Sequence, residues 1–109
     1  MKIYTAKIDR PIGYIHHRNP YPLNYGYVPE IMAGDGEEQD VYIVSDLPEN
    51  QQPLTEFTGN LIAIIHRKDD VEDKWILTTE HEQFTADEIV ARVYFQEQYF
   101  DSSIEMLHQ

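Results

Sequence analysis

The sequence predicts an α+β protein in which a small, strongly curved sheet or barrel packs with one late helix. Several short β-rich runs are separated by turn residues, a pattern typical of such sheets. One stretch near the C-terminus has instead the start signal and the spacing of a helix. The chain has 109 residues, which is enough for one hydrophobic core. We therefore expect a single domain over residues 1–109.

The strands are predicted from runs of apolar, β-branched and aromatic residues. Residues 2–8 alternate loosely between polar and apolar side chains, and this run ends before Pro11. Residues 41–44, 60–66 and 74–79 form three further runs, of which the last two are expected to pair as a hairpin. Residues 11–29 contain four prolines and two glycines, so we predict an ordered loop with short extended pieces there.

The helix is predicted from its first turn. Thr85 is followed three residues later by Glu88, which is the spacing of a capping box. Apolar residues then continue at helical spacing, and the pattern predicts one amphipathic helix that ends near Tyr99.

Composition limits the partners of the chain. Twenty acidic and eight basic residues give a net charge of −12, which repels nucleic acids and anionic membrane surfaces. Cysteine is absent, and the longest apolar run, residues 61–65, is far too short to span a membrane. We expect a cytoplasmic protein without nucleic-acid or membrane partners. Eight tyrosines, four phenylalanines and one tryptophan favour a homo-oligomer that covers exposed apolar surface.

An acidic segment between residues 35 and 40 is the first candidate site. Asp35, Glu37 and Asp40 lie at short offsets, and Gly34 and Gly36 flank Asp35 and permit a tight turn. Carboxylate oxygens in such a cluster suit a hard cation such as Mg²⁺. A solvated surface turn has the same composition, so these residues alone leave both interpretations open.

The longer string from Tyr21 to Val44 carries a resemblance. Residues 21–27 read Tyr-Pro-Leu-Asn-Tyr-Gly-Tyr, and Asp35 opens the segment Asp-Gly-Glu-Glu-Gln-Asp-Val. Together they resemble the signature of family I soluble inorganic pyrophosphatases, with Glu37 in place of an aspartate. The resemblance implies an OB-like five-stranded barrel with a helix packed outside. It also implies Mg²⁺ as cofactor, with Asp35, Glu37 and Asp40 as its ligands.

The resemblance also assigns roles outside the acidic segment. In the turn at residues 69–73 it implies further metal ligands, either Asp69 or Asp70 together with either Glu72 or Asp73; Asp70 and Asp73 are the pair we predict. Substrate-binding roles fall on four residues, which are Arg10, Tyr25, Lys74 and Tyr99. Asp40 is the candidate general base, with Tyr25 as the second catalytic residue.

The chain departs from the family pattern in its cations. By the resemblance, Phe100 stands where the family has a phosphate-binding lysine, and we expect no counterpart of the family's N-terminal lysine and glutamates in the nine residues before Arg10 in this sequence. The first functional hypothesis is Mg²⁺-dependent hydrolysis of inorganic pyrophosphate to two phosphates by a metal-activated water. The alternative is a weak or inactive domain that binds phosphate, a nucleotide or a protein partner.

Overall fold

The protein forms a closed mixed β-barrel with one helix on its outside. The computed structural model describes residues 2–68 and 72–107. The longer strands in chain order are β1 (Ile3–Arg10), β4 (Tyr25–Met32), β5 (Glu38–Ile43), β6 (Glu56–Arg67), β7 (Asp73–Thr78) and β8 (Ser102–Met106). Two short strands, β2 (Ile15–His16) and β3 (Asn19–Pro20), form a separate hairpin, a short 3₁₀ turn covers Pro48–Asn50, and helix α1 spans Ala86–Glu97.

Five strands close the barrel in the order β1, β4, β5, β7, β6, since β6 also pairs with β1. The β5–β7 pair is parallel, and the other pairs of the barrel are antiparallel. The twelve-residue strand β6 pairs with two strands along the same edge. Its first half pairs with β1, and its second half pairs with β8. The predicted class, an OB-like five-stranded barrel with an outer helix, is confirmed.

Two apolar clusters follow from the alternation of side chains along the strands. One fills the barrel and receives Ala6, Val28, Val41, Phe57 and Leu77 from the five barrel strands. The other lies between the barrel wall and α1, where Tyr42 and Ile76 meet Ile89 and Val93 of the helix. Consecutive residues of β5 and β7 therefore divide between the barrel interior and the helix side.

The helix begins as predicted. The Thr85 side chain accepts a hydrogen bond from the Glu88 amide, and the Glu88 carboxylate accepts one from the Thr85 amide, which completes the capping box. The helix ends at Glu97, two residues before the predicted end. Within the described ranges, no helix is long and apolar enough to cross a membrane.

The prediction of a loop through residues 11–29 was wrong at its C-terminal end, because β4 already begins at Tyr25. Pro29 is tolerated because the β4–β5 pairing shifts register between Val28 and Met32, and Glu30 within this bulge has a φ of 72°. Gly26 explains how β4 lies so close to β1. A Cβ atom at this position would lie 1.8 Å from the Lys7 carbonyl oxygen.

Candidate active site

The acidic loop joins β4 to β5 as a compact turn. The Asp35 carboxylate accepts a hydrogen bond from the Glu37 amide at 2.9 Å, and the Ala33 amide donates to the Glu37 carbonyl at 2.7 Å. Gly36 has a φ of 83°, which glycine adopts without strain. Asp35 and Glu37 are exposed, whereas Asp40 lies within β5 and is half-buried. The loop therefore holds its first two carboxylates in solvent and directs the third toward the sheet.

Lys74 is the centre of the site. Its side chain is 4% exposed, and its ammonium group donates to the Tyr25 hydroxyl at 2.9 Å, to Asp40 Oδ2 at 2.6 Å and to Glu72 Oε1. Tyr25, Asp40 and Lys74 come from β4, β5 and β7, which are adjacent in the barrel. Asp40 and Lys74 each lie two residues before a member of the apolar cluster between the barrel wall and α1. Because alternate residues of a strand point to the same face, both side chains lie on the helix side of the sheet, next to that cluster.

The two carboxyl groups around Lys74 have opposite tendencies to ionise. Burial would raise the pKa of Asp40, but its hydrogen bonds with Glu72 and Lys74 outweigh burial and hold this pKa below its ordinary value. Burial, together with the hydrogen bond to Asp40, raises the pKa of Glu72. Asp40 is therefore the ionised member of the pair, and Glu72 is the member that accepts a proton first.

Tyr25 is held as a neutral phenol. Burial, and secondarily the charge of Asp40, raises the pKa of the Tyr25 hydroxyl far above its ordinary value. The ring packs edge-on against Tyr42 and Tyr21. Tyr25 can therefore donate or accept a hydrogen bond in the site without acquiring charge.

Arg10 connects this centre to an open cavity. Its guanidinium donates to the Tyr21 hydroxyl at 2.7 Å, and that hydroxyl donates to Gln96 Oε1 at 2.6 Å. The guanidinium carbon lies 5.8 Å from the centroid of the Tyr25 ring. Arg10 and Tyr99 both line a cavity of about 490 Å³, so the two predicted substrate-binding residues face the same space.

The predicted metal ligands do not all gather at one place. Asp73 lies beside Lys74 in β7, and adjacent strand residues point to opposite faces. Its carboxylate instead meets His66 Nδ1 at 3.1 Å, whereas the alternative ligand Glu72 faces Lys74. Asp70 lies outside the described residues. Among residues 2–68 and 72–107, no three histidine, aspartate or glutamate side chains stand close enough to hold a metal ion by themselves. The ligand roles of Asp35, Glu37, Asp40, Asp70 and Asp73 stay predictions.

A buried ion pair beside the site was missed by the sequence analysis. Arg67 binds Glu97 through two hydrogen bonds of 3.1 and 2.7 Å, and Glu97 also accepts from Tyr42 and Ser102. Burial opposes ionisation of Glu97, but the hydrogen bond from Arg67, the strongest of the opposing effects, holds the pKa of Glu97 below its ordinary value. The spacing of Glu97 after Ile89 and Val93 would have placed it on the buried face of the helix.

The Arg67 guanidinium also lies near Glu72 of the site and against the Phe100 ring. One guanidinium nitrogen lies 4.0 Å from Glu72 Oε2, and the Phe100 ring lies over the guanidinium carbon at 3.6 Å from the ring centroid. Phe100 therefore covers a cation instead of supplying one. The helix end is fixed to the barrel by this stack and by the Glu97 pair.

Residues 4–101 match the family model described as inorganic pyrophosphatase. The chain belongs to the inorganic pyrophosphatase family. The match covers nearly the whole chain, and the resemblance inferred from the signature segment is confirmed.

Individual relatives match over short segments. An inorganic pyrophosphatase of Xanthomonas campestris is 57% identical over 28 residues, which is 26% of this chain and 16% of the relative. Inorganic pyrophosphatase 1 of Pseudomonas syringae is 36% identical over 50 residues, which is 46% of this chain and 27% of the relative. The aligned segments therefore span only a small part of these longer relatives.

Solved structures extend the likeness to the whole fold. The inorganic pyrophosphatase of Ehrlichia chaffeensis has a TM-score of 0.73 at 16% identity and covers 96% of this chain and 86% of its own. The inorganic pyrophosphatase of Coxiella burnetii has a TM-score of 0.66 at 18% identity, with coverages of 96% and 83%. At these identities the likeness establishes the barrel and its outer helix.

Proposed function

We propose that this chain hydrolyses inorganic pyrophosphate to two phosphates in a Mg²⁺-dependent reaction. The observation that carries the proposal is the junction of Tyr25, Asp40, Glu72 and Lys74, which lies beside the acidic loop in a chain of this family. A buried ammonium group beside an ionised carboxylate offers both a cation for the substrate and a base for water.

The donor chemistry of the acidic residues fits Mg²⁺ that arrives with the substrate. Mg²⁺ in phosphate-processing sites commonly takes one or two protein carboxylates and completes its shell with water and phosphate oxygens. Asp40, with Asp35 and Glu37 in the adjoining loop, can supply those carboxylates without a protein-only cage. When bound, Mg²⁺ would neutralise phosphate charge and lower the pKa of a coordinated water.

The chain's own residues divide the remaining tasks. Lys74 is held by its three partners, and a phosphate oxygen that replaces one of them would meet its positive charge. Asp40 stays ionised and accepts the proton of the attacking water, and Glu72, with its raised pKa, can hold that proton next. Tyr25 orients the water or a phosphate oxygen as a neutral partner. Arg10 supplies a second cation, with its guanidinium carbon 5.8 Å from the centroid of the Tyr25 ring.

One observation favours the alternative of a domain that binds without turnover. Lys74 is already neutralised by Asp40 and Glu72, and Arg67 is neutralised by Glu97. A substrate phosphate must therefore compete with carboxylates for these cations. A site of this kind can hold a metal–phosphate complex and still hydrolyse it slowly or not at all.

Phosphate release from pyrophosphate in the presence of Mg²⁺ tests the proposal. Asp40→Asn should lower kcat by about 10²- to 10⁴-fold, the usual contribution of a general base. Asp87→Asn makes the same chemical change at an exposed position in the first turn of α1, and it should leave kcat within about twofold of the wild type.

Two results would refute hydrolysis at this site. The first is a folded wild-type protein that releases no phosphate above the blank, and the second is an Asp40→Asn variant as active as Asp87→Asn. Calorimetric binding of Mg²⁺-pyrophosphate without phosphate release would support the alternative.

A further inference from the structure

We propose that the cavity beside Arg10 receives the nucleoside of a nucleoside 5′-diphosphate, whose pyrophosphate group occupies the site around Lys74. The inference rests on the proposed function for the location of the pyrophosphate group. The substrate class is then a pyrophosphate that is esterified at one end with a nucleoside.

The walls of the cavity suit a planar ring. Its lining includes the aromatic side chains of His16, His17, Tyr21, Phe95 and Tyr99. Its volume of about 490 Å³ lies in the range of sites that hold small organic ligands. Bases stack on aromatic side chains with little dependence on sequence, because every base presents a π-face. Inorganic pyrophosphate has no planar ring to fill such a space.

The charge of the cavity differs from that of the chain. The protein carries a net charge of −12, yet none of the nine residues that line this cavity, as far as the chain is described, is acidic. Arg10 is the cation of this surface, and partial desolvation together with the nearby His17 and Arg10 lowers the pKa of His16. The cavity therefore offers aromatic rings beside one guanidinium group and without carboxylates, which suits an aromatic ligand with an anionic tail.

A strained hairpin holds the two histidines at the cavity. Strands β2 and β3 are joined by His17 and Arg18, whose φ values are 51° and 68°. Two-residue turns of this kind normally use asparagine and glycine, because other side chains are disfavoured at positive φ. The two histidine rings lie 4.1 Å apart between centroids, and the His16 ring stands nearly perpendicular to that of Tyr21. Strain of this kind persists where the surrounding structure fixes a functional geometry.

Arg10 lies between the cavity and the reaction centre. Its guanidinium carbon is 5.8 Å from the ring centroids of both Tyr21, in the cavity, and Tyr25, in the site. An anhydride held by Arg10 and Lys74 can therefore extend its ester end into the cavity. In the reaction, water attacks the β-phosphorus, the bridging P–O bond breaks, and the nucleoside monophosphate leaves with the bonding electron pair. The proton of the water passes through Asp40 to solvent, and orthophosphate is the second product.

Calorimetry with two non-hydrolysable ligands and Mg²⁺ tests the inference. The ligands are methylenediphosphonate and α,β-methylene-ADP, which differ by the nucleoside. The protein should bind α,β-methylene-ADP at least about fivefold more tightly than methylenediphosphonate. A gain of about fivefold is the lower end of what stacking of one base on an aromatic side chain contributes. His16→Ala should remove most of that improvement. His81→Ala should preserve it, because His81 is also an exposed histidine and lies outside this cavity.

The outcomes separate this inference from the proposed hydrolysis. Equal affinities for the two ligands overturn it, even if the protein hydrolyses pyrophosphate. The inference is also overturned if the nucleoside still improves affinity both in His16→Ala and in the double variant that carries His16→Ala and His17→Ala. An improvement that depends on His16 supports it even if no pyrophosphate is hydrolysed. Circular dichroism of each variant verifies that the fold is retained.

Discussion

Replacing Lys74 by methionine is the most informative single perturbation of the site. The side chain is 4% exposed, and the substitution leaves the carboxylates of Asp40 and Glu72 facing each other without their shared cation. Removing one partner of a buried ion pair typically destabilises a protein by about 3–5 kcal/mol. The two carboxylates keep 30% and 19% exposure, so residual hydration favours the lower end. We expect a loss of about 3 kcal/mol in the free energy of unfolding at pH 7.5.

The pH dependence gives this prediction its signature. Asp40 has a folded-state pKa below its ordinary value, so its contribution is present above the unfolded-state pKa and is lost as the pH falls through the folded-state pKa. In Lys74→Met the repulsion between the carboxylates is relieved when one of them is protonated. The difference in stability between wild type and variant should therefore be largest at pH 7–8 and shrink toward pH 4.

Urea denaturation followed by circular dichroism measures both quantities. Lys7→Met is the matched control, because Lys7 is an exposed lysine of β1 and its replacement should change stability by less than about 0.5 kcal/mol. A loss for Lys74→Met no larger than for Lys7→Met, or a loss that stays constant between pH 7.5 and pH 4, would refute the description of Lys74 as the electrostatic centre of the site.

Three further predictions concern other parts of the fold. Hydrogen bonding to Glu105, followed by that to Asp73, raises the pKa of His66 despite partial burial. Protonated His66 therefore contributes stability that is fully present below about pH 6.5 and is lost as the pH rises through the raised pKa. An NMR titration should give His66 a pKa above about 6.5, and a lower pKa would contradict the stabilising role of these two hydrogen bonds. Thr85→Ala should lower stability by about 1 kcal/mol without changing the urea m-value, because it removes the capping box; an unchanged urea midpoint would contradict this. Gly26→Ala should cost more than about 3 kcal/mol, since the added Cβ would overlap the Lys7 carbonyl, and a thermal midpoint equal to that of the wild type would contradict the close β1–β4 approach.

Local signals in the sequence were sufficient for some elements. The capping box at Thr85 and Glu88 locates the start of the helix because all its interactions lie within one turn. The apolar runs at residues 60–66 and 74–79 predict the β6–β7 hairpin because two β-rich runs joined by a short acidic segment are neighbours along the chain. The barrel itself depended on the family resemblance, because closure of β6 onto β1 is a contact between distant segments.

Other elements have no clear local signal. Strand β4 runs through Pro29, and only the bulge between Val28 and Met32 makes a proline acceptable there. Strand β8, with the sequence Ser-Ser-Ile-Glu-Met, has weak alternation and is stabilised by its pairing with β6. These strands are determined by their neighbours in the barrel more than by their own composition.

The candidate site was predictable in its residue types and less so in its contacts. The signature segment pointed to Tyr25 and Asp40, and the acidic turn pointed to Lys74, which the structure brings together. Whether Glu72 or Asp73 faces Asp40 depends on which of the two points to the helix side at the start of β7. The composition of the turn does not determine this. The Arg67–Glu97 pair joins residues thirty positions apart, so only the tertiary structure reveals it.

A ³¹P NMR time course of inorganic pyrophosphate with the wild-type protein tests the central claim most directly. With Mg²⁺ present, the pyrophosphate signal should convert to orthophosphate, and chelation of the metal with EDTA should stop the conversion. Asp40→Asn should slow it by at least about 10²-fold, while Asp87→Asn should not. A pyrophosphate signal that stays unchanged for hours with folded wild-type protein and Mg²⁺ would contradict hydrolysis at the Lys74 site.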